Sequence, residues 1–124
     1  MPIDNLYHIT SLEYNTDSGV LNAQLALNKS HPVFEGHFPG NPILPGVCTV
    51  QIAKELLCKV LQGNFRLSKA ANIKYLGFVS PVSTPVIRFQ MIIKQIDTLV
   101  TNCSVTVIAG ENTVCSFKGE YLQI

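Results

Sequence analysis

Apolar and polar residues alternate between positions 20 and 28: Leu21, Ala23, Leu25 and Leu27 fall on one side, with Asn22, Gln24 and Asn28 among those on the other. A period of two predicts a strand with one buried face. A run over positions 6–13 predicts its partner, joined to it through the turn-forming stretch NTDSG. From Val47 to about Leu61 the period changes. Val50, Ala53, Leu57, Val60 and Leu61 recur at i, i+3, i+4 steps, and Leu56 widens the stripe, which predicts an apolar-faced helix. QGN ends it, with Gly63 as the expected C-terminal cap. The remainder reads as strands at about 70–79, 85–96, 99–109 and 113–122, punctuated by SPVSTP, IDT and GEN. VTNCSVTVI, rich in β-branched residues, suits a pleated surface.

Two strands, a long loop, a helix and four strands make an α+β chain in which one helix cannot cover both faces of the sheet. A curved antiparallel sheet wrapped around that helix is the simplest solution. It leaves a strand edge open, and pairing of edges between two chains is the expected remedy. No repeat or linker divides the 124 residues, so one domain over 1–124 is expected. Apolar residues make up 47% and charged residues 14%, which argues against disorder. A net charge of +1 with no basic block gives no electrostatic reason to expect nucleic acid or an anionic membrane as partner. The first ten residues lack the charged and apolar regions of a secretory signal, so the cytoplasm is the expected location. Cys48, Cys58, Cys103 and Cys115 form no CxxC and no zinc-like pattern with the histidines, and read as small buried hydrophobes.

The chemistry concentrates in positions 30–46. Pro39, Pro42 and Pro45 restrict the backbone there, and Gly36, Gly40 and Gly46 allow conformations that other residues reach only at a cost. A stiff loop of this kind can present His37 at a defined point, and histidine is the side chain best suited to move a proton near neutral pH. Gly46 falls at the edge of the helix, where a backbone N–H aided by the helix dipole can hold a carbonyl or a developing oxyanion. His8 and His31 read as ordinary surface or turn residues. Cys48, near the same helix end, reads as core packing rather than as a low-pKa thiol.

GHFPGNPILPGV, residues 36–47, resembles the signature of the 3-hydroxyacyl-acyl-carrier-protein dehydratases, which have the hotdog fold. IKYLGFVSPVSTPV, residues 73–86, resembles that family's second motif, although Ser83-Thr84-Pro85 stands where Pro-Gly-Asp is usual. The resemblance spans about residues 28–90 and implies a hotdog domain, a sheet wrapped around one long central helix. It implies that His37 takes the α-proton of a 3-hydroxyacyl thioester and that the Gly46 N–H binds the thioester carbonyl. In the family this histidine and a helix acid face each other across the dimer interface; Phe34 and Phe38 would line the acyl tunnel or that interface, and Pro45 and Val47 would be substrate-binding too.

The family's helix acid falls at Gln51, which can orient a hydroxyl but cannot deliver a proton as a carboxylic acid does. Glu55, one turn further on, is the candidate substitute acid. The resemblance further implies a trans-2-enoyl thioester product carried on acyl carrier protein or coenzyme A, with no metal or redox cofactor. The assembly would be a homodimer or a trimer of dimers. NPILPGV resembles the branch serving polyene pigment pathways, in which a second dehydratase-like subunit can supply the acid. A non-catalytic acyl-binding subunit and an acyl thioesterase are the alternative readings.

Overall fold

A computed structural model describes residues 4–35 and 40–124. His37 and Phe38 therefore lie outside the described residues. The first hairpin pairs β1 (Tyr7–Tyr14) with β2 (Val20–Leu27). Its turn is built as NTDSG suggests, with Asn15 Oδ1 accepting the N–H groups of Asp17 and Ser18 at 2.9 and 3.1 Å. Gly19 closes the turn at φ +77°, and a Cβ there would sit 2.2 Å from the Ile93 carbonyl oxygen, so only glycine fits.

After a short 3-10 turn, Pro32–Phe34, comes α1 (Gly46–Leu61), followed by β3 (Phe65–Tyr75), β4 (Val86–Gln95), β5 (Val100–Ala109) and β6 (Asn112–Gln123). The strands form an antiparallel sheet in the order β1-β2-β4-β5-β6-β3. The inward residues of β2 are those the alternation selects: Leu21, Ala23, Leu25 and Leu27 are buried. Ile87, Phe89, Met91 and Ile93 of β4 join them, as do Val105, Val107 and Phe117, in one cluster with Ile52, Ala53, Leu56 and Leu57 of α1. One helix against one face of an antiparallel sheet is the hotdog fold.

Three expectations need correction. The buried helix face is Cys48, Thr49, Ile52, Ala53, Leu56 and Leu57, whereas Val50, Val60 and Leu61 are only partly buried. The helix is apolar over so much of its circumference that spacing alone does not fix its rotation. Its left-handed C-cap is Gln62 at φ 53°, not Gly63, whose N–H instead closes on the Cys58 carbonyl. The third strand starts at Phe65 and ends at Tyr75 rather than covering 70–79. It is an edge strand, exposed along most of its length and broken by two register shifts, so it carries little alternation to read.

Tyr121 is completely buried, its ring occupying the space beside Gly119, where a Cβ would lie 2.7 Å from Cε2. Among the described residues its hydroxyl is the buried side-chain atom left without a hydrogen-bond partner. Tyr121→Phe removes that cost and is expected to raise unfolding stability by about 1 kcal/mol. Denaturant titration checks this, and a loss of stability would refute it.

Candidate active site

The polypeptide enters α1 through Pro45, whose extended backbone (φ −61°, ψ 142°) provides the N-cap without a side-chain hydrogen bond. The Pro45 carbonyl instead accepts the N–H groups of Cys48 and Thr49 at 3.0 and 3.4 Å. Helix geometry leaves the Gly46 and Val47 N–H groups without an intrahelical carbonyl, at the positive end of the dipole. Gly46 and Val47 line a cavity of about 520 Å³ whose walls also include Thr49, Tyr75, Phe78 and Val114. The Tyr75 ring lies directly over Gly46: a Cβ on Gly46 would meet Tyr75 Cε1 at 2.6 Å and Cζ at 2.8 Å.

The two sequence motifs meet here. Leu44 N–H donates to the Val79 carbonyl at 2.8 Å, tying the proline-rich loop to the second motif. Leu76 and Gly77 donate to the Val114 carbonyl, which turns residues 76–79 out of the sheet and makes them a wall of the cavity. The apolar stretch read as the end of a strand is therefore cavity lining.

Gln51 lies five residues beyond Gly46, about 140° around the helix, and does not line that cavity. Its Nε2–H donates to Glu55 Oε2 at 3.1 Å, while the Tyr7 hydroxyl donates to Glu55 Oε1 at 2.7 Å. Glu55 is thus on the same face as Gln51, as the spacing implies. Burial first, and Glu55 second, hold the Tyr7 phenol well above its ordinary value, so Tyr7 remains a neutral donor. Tyr7 was invisible to sequence reasoning because it is 48 residues from its partner. Tyr75 stands inside a recognised motif, but nothing in the motif says that its ring covers Gly46.

The other expected site residues divide. Val47 lines the cavity and is exposed, Pro45 caps the helix, and Phe34 is buried in the core rather than at the cavity wall. His31 is a turn residue with both ring nitrogens engaged: Nδ1 accepts the Val33 N–H at 3.0 Å, so Nε2–H donates to the Asp4 carbonyl at 2.9 Å. His8 is exposed on β1. Among the described residues no group of three His, Cys, Asp or Glu is placed to hold a metal ion. No described helix is long and apolar enough to cross a membrane.

The cysteines behave as the composition suggests. Cys48, Cys103 and Cys115 are buried and all four are free. Burial, and after it Glu55, push the Cys48 thiol up, opposite to the effect of the helix end. Burial pushes Cys103 from 9.0 up to about 12. The folded state therefore keeps a proton that the unfolded state releases. This contribution to stability is intact below pH 9 and is lost between about pH 9 and 12, at about 1.4 kcal/mol per pH unit. Melting temperatures measured across that range should fall less steeply for Cys103→Ala than for wild type, and equal slopes would refute the assignment.

Comparison with known proteins agrees with this architecture. Residues 13–117 match the family model of the ApeI-like dehydratases, described as ApeI dehydratase, and the chain belongs to this family of hotdog dehydratases. Over 109 residues it is 30% identical to the bifunctional enzyme LpxC/FabZ of Chlorobaculum tepidum, a match covering 88% of this chain and 21% of that one. It spans between 20% and 62% of the length of the curated dehydratases it matches. Its fold is similar to that of the dehydratase heterocomplex ApeI:P from Xenorhabdus doucetiae, with a TM-score of 0.69 and 18% identity over 94% of this chain and 97% of that one. A mutant of thioesterase PA1618 from Pseudomonas aeruginosa shares the fold at a TM-score of 0.63 and 11% identity, over 94% of this chain and 81% of that one.

Proposed function

We propose that the protein dehydrates 3-hydroxyacyl thioesters to trans-2-enoyl thioesters in fatty-acid or polyene-type lipid biosynthesis. The observation that carries this reading is the Gly46 end of α1, opening on an apolar cavity directly after the loop that bears His37. His37 takes the α-proton. The Gly46 N–H donates to the thioester oxygen as negative charge builds there. The C–H electron pair becomes the C=C bond, the C–O bond breaks, and the departing hydroxide takes the proton back from the His37 imidazolium to leave as water. Gln51 of a second copy of the chain, facing this His37 across the dimer interface, orients the hydroxyl. Base, oxyanion site and proton return suffice for this elimination without a metal or redox cofactor.

The acyl group is carried on acyl carrier protein or coenzyme A, with Val47, Pro45 and Phe38 beside it. Two chains associate through their exposed edges, as a dimer or a trimer of dimers; Val47, Tyr75, Leu76 and Phe78 leave apolar surface exposed on that side. A second reading, a subunit of a mixed dehydratase, is favoured by the amide at position 51 and by the heterocomplex formed by the Xenorhabdus relative. Hydration of a short trans-2-enoyl thioester by the purified protein, followed by loss of enoyl absorbance, decides between them. Turnover by the protein alone supports the self-sufficient enzyme. Turnover only after adding a second dehydratase-like subunit supports the mixed one, and inactivity in both assays rejects the dehydratase reading.

A further inference from the structure

Gly46 leaves open the space a side chain would fill, and Tyr75 takes it. The Tyr75 hydroxyl oxygen lies 3.0 Å from the point where a Cβ on Gly46 would stand. Bond geometry puts the Gly46 nitrogen about 2.5 Å from that same point, so the two groups are at most about 5.5 Å apart. An oxygen that accepts from two donors at about 2.8 Å each needs them within about 5.6 Å of one another. The separation is therefore short enough for one carbonyl oxygen, with its two lone pairs, to accept from the helix N–H and from the phenol together.

Fixed backbone delivers the phenol to this place. Tyr75 pairs with Cys115 at the end of β3 and so faces the same side of the sheet as that buried thiol. The next two N–H groups, of Leu76 and Gly77, donate to the Val114 carbonyl and hold the chain as it leaves the strand. Among the described residues the Tyr75 hydroxyl has no hydrogen-bond partner. Burial, and after it Cys115, push the phenol above its ordinary value, so it keeps a hydrogen to donate near neutral pH. Thr49 and Cys115 also bring polar atoms to the cavity wall. Thr49, however, starts about 4.5 Å further along the helix axis than Gly46, and a thiol is a weak donor.

The geometry points to Tyr75 as a second donor of the oxyanion site, its hydroxyl and the Gly46 N–H together holding the thioester oxygen while negative charge builds there. This role rests on the dehydratase reading and adds a residue to its site. Tyr75 gives up no proton: its hydrogen bond strengthens as the oxygen gains charge, and both proton transfers stay with His37. A phenylalanine would fill the space beside Gly46 equally well, so packing alone does not call for the hydroxyl.

Tyr75→Phe keeps the ring and deletes the donor. One probe is a butyryl pantetheine thioester labelled with carbon-13 at the carbonyl, which has no hydroxyl to lose. Its infrared carbonyl band, read while bound, is expected at lower frequency in wild type than in Tyr75→Phe, because each donor polarises the C=O bond. Hydration of a trans-2-enoyl pantetheine thioester is expected to fall about 10- to 100-fold in kcat, with KM and melting temperature little changed. That is less than the 10²–10³-fold or so of an enclosed donor, because Tyr75 is 56% exposed.

In an active wild type both signals must change, and either one left unaltered overturns the proposal while the dehydratase reading stands. A wild type that hydrates nothing, yet shows the band difference, removes the dehydratase reading and keeps Tyr75 as a donor to a thioester carbonyl. An inactive wild type without that difference removes both.

Discussion

His37→Ala is expected to lower turnover of an enoyl or 3-hydroxyacyl thioester by about 10²–10⁴-fold, the usual cost of losing a general acid–base group. In the proposed mechanism this one side chain makes two proton transfers, off the α-carbon and onto the departing oxygen. Neither His31 nor Glu55 duplicates it: His31 has both nitrogens committed within its turn, and Glu55 already accepts from Tyr7 and Gln51. The measurement is enoyl thioester hydration by wild type and variant, beside their melting temperatures. Equal melting temperatures with activity lost locate the effect in chemistry. A variant that stays within a few-fold of wild type would remove His37 from the reaction.

Gly46→Ala should be nearly as damaging, for a geometric reason. The new methyl would lie 2.6 Å from Tyr75 Cε1, closer than packed atoms tolerate, so the ring must move. Tyr75 is 56% exposed and has room to swing away, so the loss of stability should stay within about 1 kcal/mol. The methyl, however, stands where a thioester must approach the helix N–H groups. Displacing the carbonyl by about 1 Å from its donor costs on the order of 100-fold in kcat/KM. Gly46→Ala combined with Tyr75→Ala separates the two effects: it relieves the crowding but leaves the methyl in the path. Restored activity in the double variant would place the defect in the ring rather than in access to the backbone.

The sequence was most informative where a physical period was clean. The strict alternation of β2 and the β-branched run of β5 place those strands to within a residue or two, and the change of period at Val47 places the helix start one residue from where it lies. It was least informative where burial is one-sided or absent. On the edge strand β3 nearly every residue from Lys69 onward is exposed, so nothing selects an apolar face. The C-cap was misplaced because glycine is only the commonest left-handed residue, and Gln62 takes that conformation with its N–H still bonded to Cys58.

For the candidate site, residue type and spacing on the chain identified the proline-rich loop, Gly46, and the shared helix face of Gln51 and Glu55, because those relations are local. Sequence by itself also determined the class of chemistry a histidine and a helix-edge glycine can support. Tertiary structure alone decided what the groups meet. The Val79 carbonyl binds the loop, Tyr75 reaches over Gly46 from the end of β3, and Tyr7 reaches Glu55 from the first strand. Phe34 went to the core rather than to the cavity wall. These contacts join residues far apart in sequence, so their formation depends on sheet order and helix rotation. Both are settled by how the whole core packs, and no local pattern encodes either.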